Sequence, residues 1–172
     1  MSRSESRLQA ELKQSRPFAS PLQEAFLSVL KTADLLTHVL DQHLASHDLR
    51  HQQYNVLRIL RGAGPEGIPT LAIADRLIEC TPGMTRLLDR MEQKGLVLRK
   101  RCPDDRRQVL CYATAQGNDL LDRLEPMVKT LVDQFFERIQ PAELETFIET
   151  MERIREQAAA FKRPAEPQTH LN

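Results

Sequence analysis

The sequence predicts a mainly α-helical chain with one small β-hairpin, and three observations carry that prediction. Apolar residues recur at three- and four-residue steps over long stretches on either side of the chain's middle. Two short helical patterns, L-A-I-A-D-R-L at 71–77 and M-T-R-L-L-D-R-M at 84–91, are separated by a turn. A basic hairpin, R-K-R-C-P-D-D-R-R at 99–107, follows at once. Two short helices and a basic hairpin in that order are the layout of a winged helix-turn-helix. The long terminal helices would flank it and dimerise.

Taken in order, residues 1–20 read as a flexible polar tail, with Leu8 and Leu12 the only hint of a helix. From Leu22, the positions Phe26, Val29, Leu30, Ala33, Leu36, Leu40 and Leu44 mark a long amphipathic helix ending near Asp48. A second helix over Gln52–Arg61 turns Val56, Leu57 and Leu60 inward and stops at Gly62 and Gly64. G-P-E-G-I-P at 64–69 is a turn cluster. Thr70 is placed to cap the next helix, whose inner face is read as Leu71, Ile73, Ala74 and Leu77. Thr81 and Pro82 suit the cap and first position of the helix after it. That helix buries Met84, Leu87, Leu88 and Met91, and Gly95 ends it.

Leu96–Arg101 and Gln108–Ala113 then form the strands of the wing. Thr114 caps a helix to about Ile139, which Pro126 should kink or interrupt near Glu125. A last helix starts at Pro141 and is expected to bury Leu144, Phe147, Ile148, Met151, Ile154 and Phe161. The domain reading is therefore a helical dimerisation region at 21–50 and 114–162, a reading domain at 51–113, and tails at 1–20 and 163–172. The apolar faces of the long helices exceed what a compact winged helix covers, so an intertwined homodimer is expected.

Composition sets the class. With 41% hydrophobic and 28% charged residues and no Trp, the chain is an ordinary aqueous protein built on aliphatic side chains. Its 24 Lys and Arg balance its 24 Asp and Glu, so bulk charge names no partner. Distribution does: residues 82–107 hold eight cations against four acids, whereas 119–156 hold ten acids against five cations. A basic surface beside an acidic remainder fits a nucleic-acid binder. The opening residues lack a secretory signal and no run is long enough to span a bilayer, which predicts a cytoplasmic protein. Three cysteines at no metal-ligand spacing argue against a disulfide framework or a cofactor. No phosphate loop or nucleophile elbow is present, so an enzyme is not expected.

Q-Y-N-V-L-R-I-L at 53–60, L-A-I-A-D-R-L at 71–77, M-T-R-L-L-D-R-M-E-Q-K-G-L-V at 84–97, P-D-D-R-R at 103–107 and A-T-A-Q-G at 113–117 together resemble the MarR family of bacterial transcription regulators. The resemblance covers about 22–162 and is specific through order and spacing. It implies a triangular homodimer with a winged helix-turn-helix at each lower corner. It also implies a transcription regulator, commonly a repressor, released by small molecules such as phenolic anions. Arg50 departs from the pattern, since family members often carry there a Thr that caps the next helix.

On that reading, double-stranded DNA is the partner and a pseudo-palindromic operator the target. Thr85 and Arg86 lie where a reading helix meets base edges, since Arg donates twice to guanine and a Thr methyl meets thymine. Gly83 admits close backbone approach, Thr81 lies at the helix start, and Arg90 reaches a base or a phosphate. The competing reading of Arg86 is a solvated residue paired with Asp89. At the wing, Asp105, Arg106 and Arg107 match the family's D-x-R pattern, which implies that the Asp braces Arg107 while the tip enters the minor groove. One of Arg106 and Arg107 is expected in the groove, with the other held by Asp105. Arg99 and Arg101 are read as phosphate contacts.

The resemblance places an effector between the dimerising helices and the DNA head, and Leu36, His43, His47 and Tyr54 are its candidate lining. Alternatives on the same fold remain open at this point. His43, His47 and His51 step by four and would suit a zinc-responsive regulator. Cys80 precedes the reading helix and would suit a redox-responsive one. Cys102 and Cys111 lie on opposite wing strands, with Cys111 expected opposite about Leu98 and hence not bonded to Cys102. A winged helix serving only protein interaction is a further alternative, but it predicts acidic or apolar residues where Arg86 and Arg90 stand.

Overall fold

In the computed structural model the residues described are 6–79, 83–103, 105 and 107–161. Helix α1 (Arg7–Glu11) is a single turn inside the segment read as a tail, started by Ser6, whose Oγ accepts from the Gln9 N–H at 3.2 Å. Helix α2 (Pro21–Ala45) begins at Ser20, whose Oγ accepts from the Gln23 N–H, while the Gln23 side chain accepts from the Ala19 N–H. It closes through Asp48, which takes a left-handed φ of 53° and lets the Leu49 N–H return to the Leu44 carbonyl. Asp48 fills the role a glycine commonly takes there.

Helix α3 (His51–Ala63) lacks the Thr cap that Arg50 displaces, and the structure supplies two replacements. Asp41 of α2 accepts the His51 N–H at 2.7 Å, and Gln53 accepts the Arg50 N–H at 3.1 Å. Two orphan donors of the first turn are thereby satisfied without a residue at the usual position. The turn cluster then contains a strand that sequence reasoning missed. Strand β1 (Ile68–Pro69) pairs antiparallel with β3 (Val109–Ala113), which pairs in turn with β2 (Val97–Arg101), giving the order β1-β3-β2. Two residues including a proline carry no readable alternation, so β1 exists only because β3 offers it an edge.

Helix α4 (Thr70–Arg76) starts after Pro69, and Thr70 is its first residue rather than its cap; the Thr70 hydroxyl points to the Val109 carbonyl and Cys111 Sγ. Its inner face is Ile73 with Ala72 and Leu77 packed beside it, whereas Leu71 is 81% exposed and Ala74 is exposed too. A seven-residue helix buries a narrow stripe, and assigning it from four apolar letters overestimated its width.

Helix α5 (Met84–Gln93) buries Leu87, Leu88 and Met91 against a core that includes Leu57 and Leu60 of α3. Helix α6 (Ala115–Phe136) is capped by Thr114, whose Oγ1 accepts the Gly117 N–H at 3.0 Å and donates to the Gly95 carbonyl at 2.6 Å. At Gly117 any Cβ would run into the Leu96 carbonyl oxygen, so α6 lies hard against the α5–β2 turn. Of the kink or interruption expected at Pro126, the interruption does not occur, since α6 runs as one helix through it. The helix before it is pinned: Leu121 and Leu124 are fully buried, and Arg61 pairs with both Asp122 and Glu125. Those contacts outweigh the hydrogen bond a proline forgoes.

Contacts divide the chain into two compact units, Met1–Lys129 and Thr130–Asn172. The first holds the core just described. The second holds the end of α6 and helix α7 (Pro141–Ala160), which starts with the Gln140 N–H donating to Glu143. Burial of the α7 stripe is not seen within one chain: Phe147, Ile148 and Ile154 are each nearly half exposed and Phe161 is 86% exposed. Helix α2 likewise leaves Leu22, Phe26 and Leu30 exposed. Among the described residues no helix is long and apolar enough to cross a membrane.

Candidate nucleic-acid interface

The exposed face of α5 is built by the same periodicity that buries its other side. Gly83 stands at the helix start with a φ of 90°, a left-handed geometry that a side chain resists. With Leu87, Leu88 and Met91 directed inward, Thr85, Arg86, Arg90 and Gln93 face outward. Arg86 and Arg90 lie one turn apart, and neither forms an ion pair with a described residue. The pairing of Arg86 with Asp89 considered from sequence is absent. Asp89 is bound elsewhere.

Its partner is Arg99, which reaches back from β2. Arg99 Nη2 donates to Asp89 Oδ1 at 2.6 Å and to Glu92 Oε2 at 2.6 Å, its Nε donates to Glu92 Oε2 at 2.9 Å, and its backbone N–H donates to Glu92 Oε1 at 3.0 Å. The side-chain bonds from Arg99 hold the Glu92 carboxyl below its usual pKa, and those from Glu92 raise that of Arg99. Arg99, read from sequence as a phosphate contact, forms a clamp between wing and helix, its guanidinium bonded to two carboxylates of its own chain. Nothing in sequence marks it, since residues seven and ten apart meet only after Gly95, at a φ of 70°, has turned the chain.

The wing tip is also held from within. Asp105 Oδ1 accepts the Arg107 N–H at 3.0 Å and Oδ2 accepts from the Gln108 side chain at 3.2 Å. The brace expected from Asp105 thus acts on the backbone of Arg107 and not on its guanidinium, leaving that side chain exposed. Arg101 is exposed on β2, and the Lys100 ammonium lies 5.8 Å from the centre of the Tyr112 ring. Thr81, Arg106 and Cys80, all singled out from sequence, lie outside the described residues.

The four residues read as an effector lining differ in burial within one chain. Tyr54 is 4% exposed, a core side chain with the Arg58 guanidinium 5.9 Å from its ring centre. His43 and His47 are exposed, and Leu36 is half-buried. None of the four lines the cleft of about 540 Å³ that lies where α2 ends, α3 begins and α5 passes. Its walls are Ala45, Leu49, Leu87, Gln52 and Gln53, with Arg50, Arg90, Lys94 and Asp48 supplying charge. Lys94 pairs with Asp48 at 2.8 Å and Arg50 lies 3.6 Å from Asp41.

The histidine series is likewise dispersed. The His43 ring bonds to the Val39 carbonyl, while His51 lies between Asp41 at 3.0 Å and Glu79 at 3.3 Å. Among the described residues no three His, Cys, Asp or Glu side chains form a metal-holding group. Cys111 is fully buried and burial pushes its thiol pKa up, which makes it unreactive. It faces Arg99, one residue from the register expected, and both Cys102 and Cys111 are free thiols.

Comparison with known proteins adds identity to this geometry. The MarR family signature matches residues 49–109. The crystal structure of a MarR transcription factor from Planctomyces limnophilus is 40% identical, aligns over 79% of this chain and 98% of its own, and superimposes with a TM-score of 0.61. This chain belongs to the MarR family. The HTH-type transcriptional regulator MhqR of Bacillus subtilis is 28% identical over 122 residues, covering 71% of this chain and 83% of MhqR. The MarR family regulator Sco3205 of Streptomyces coelicolor, solved in complex with DNA, shares the fold at 23% identity with a TM-score of 0.74 over 90% of this chain and 96% of its own. MarR membership accounts for the winged helix-turn-helix order of α4, α5 and the β2–β3 wing, and its named members are transcriptional regulators, not enzymes.

Proposed function

We propose that this MarR family chain is a sequence-specific DNA-binding transcription regulator that works as a homodimer on a pseudo-palindromic operator, with repression as its mode. The observation that carries the reading is the outward face of α5, where Arg86 and Arg90 project without an ion-pair partner among the described residues. A helix of that kind presents its first turns to base edges in the major groove, and the guanidinium of Arg86 fits guanine O6 and N7. Thr85 reads beside it, Gly83 admits the backbone, and Arg90 takes a base or phosphate. Arg101 and Arg107 supply phosphate and groove contacts from the wing. Exposed apolar residues on α2 and α7, such as Phe26 and Phe147, support dimerisation through the terminal helices.

Release by a small organic anion belongs to the same reading, and the cleft beside α5 supports it better than the residues first considered. Its walls join apolar Leu49 and Leu87 to cationic Arg50, Arg90 and Lys94. Arg90 borders both the cleft and the reading face, so an anion held there competes with DNA for one guanidinium. Such an effector acts only through its different affinity for the bound and free forms.

Selection of duplexes from a random pool tests the whole. The expected result is a two-fold related motif whose binding weakens steeply with salt. Failure to enrich any motif, or affinity indifferent to salt, overturns the reading.

A further inference from the structure

We propose that Arg99 is a positioning residue for DNA reading: it touches no nucleotide, and by binding Asp89 and Glu92 it leaves Arg86 and Arg90 free for the operator. The inference rests on the function proposed above and names how that site is kept competent.

The reading helix has an electrostatic defect of its own. Within Met84–Gln93 the charges are Arg86, Asp89, Arg90 and Glu92, two of each sign. Arg86 and Asp89 are three residues apart, a spacing at which opposite charges on a helix attract. Left alone, Asp89 would draw Arg86 back along the helix, and both carboxylates would repel phosphate. The structure shows the alternative outcome. Both carboxylates bond to one guanidinium at 2.6 Å, and that guanidinium comes from the strand behind the helix.

The geometry suits an arginine in particular. Its fork spans two acceptors at once, while its own N–H adds a third bond to Glu92. Side-chain exposure of Arg99 is 24%, against 43% for Asp89 and 35% for Glu92, so the clamp is partly shielded from solvent and salt. With the clamp made, one of the two acidic charges is offset, and Arg86 and Arg90 stand without an ion pair to a described residue.

The test compares the wild type with Arg99→Gln and with the triple variant Asp89→Asn, Glu92→Gln, Arg99→Gln on a selected duplex, with melting temperatures recorded for each. Arg99→Gln should weaken specific binding about tenfold, within the range for losing one specific base contact. The triple variant, which lacks the clamp but also the carboxylates, should return to within about threefold of wild type, since the interaction between the sites is then absent. Its dependence of log affinity on log salt should keep the wild-type slope. If the triple variant folds and stays as weak as Arg99→Gln, or if its slope falls by about 0.9 as for a lost phosphate contact, the proposal is overturned. The same holds if Arg99→Gln folds and binds as wild type does. If the wild type itself enriches no duplex, the parent reading fails and this one with it, an outcome distinct from the others.

Discussion

At the scale of single residues, chemistry that depends on type and helical phase was legible, and chemistry that depends on distant partners was not. Thr85, Arg86 and Arg90 were placed on the outer face of α5 by its 3.6-residue period, and they are there. For Arg99 and Tyr54, nothing local says that one is clamped and the other buried. Replacing Arg86 by Ala should cost about 1–3 kcal/mol on the preferred operator and relax preference at one base pair. Binding to a panel of single-base operator variants measures it, and a uniform loss across the panel would refute the base contact.

Asp41 offers a pH test. Partial burial works to raise its pKa, but hydrogen bonds from the His51 N–H and ring, with the charge of Arg50 nearby, outweigh burial and hold it below the ordinary 3.8. A group depressed on folding stabilises above its unfolded value and loses that effect as pH falls through its folded one. Asp41→Asn should therefore melt below wild type at neutral pH, with the gap closing under pH 3.8. A gap that stays constant from neutral to acid pH would remove the link.

At the scale of elements, the three α-helices between residues 51 and 93 were anticipated, but α5 starts at Met84 after Gly83 and not at the Thr81 cap expected. The short 3-10 helix Gly64–Glu66 was read only as a turn, and the two wing strands were found within one residue. The failures share a cause. β1 and the unbroken α6 are both decided by neighbours: β3 lends β1 an edge, and Arg61 with the core holds α6 through Pro126. Close approach of α6 to the α5–β2 turn makes Gly117 a sharp probe. Gly117→Ala should destabilise the domain by about 1–3 kcal/mol, the usual cost of forcing a methyl into a packed site. Thermal unfolding checks this, and an unchanged melting temperature would show that the turn yields. On the wing, Arg107→Ala should weaken all duplexes alike and reduce the salt slope by about 0.9 if one phosphate contact is lost.

For the whole molecule, the sequence foretold more apolar surface than one chain covers, and α2 and α7 indeed leave Phe26, Leu30, Phe147 and Ile148 open. On the proposed homodimer a second chain covers them, and that is what the next variant tests. Phe26→Glu with Phe147→Glu should shift the protein to monomer at micromolar concentration and abolish specific DNA binding together. Sedimentation checks the first and a shift assay the second. A doubly substituted protein that sediments as the wild type does would place the interface elsewhere.

The short first strand has a further effect on the sheet that it borders. Ile68 and Pro69 close one margin with a run too brief for a foreign chain to zip onto, and proline has no amide hydrogen to lend. The opposite margin carries Lys100 and Arg101, both exposed, whose like charges deter an approaching copy. The wing is thereby guarded from fibril-like growth, even where many molecules crowd together.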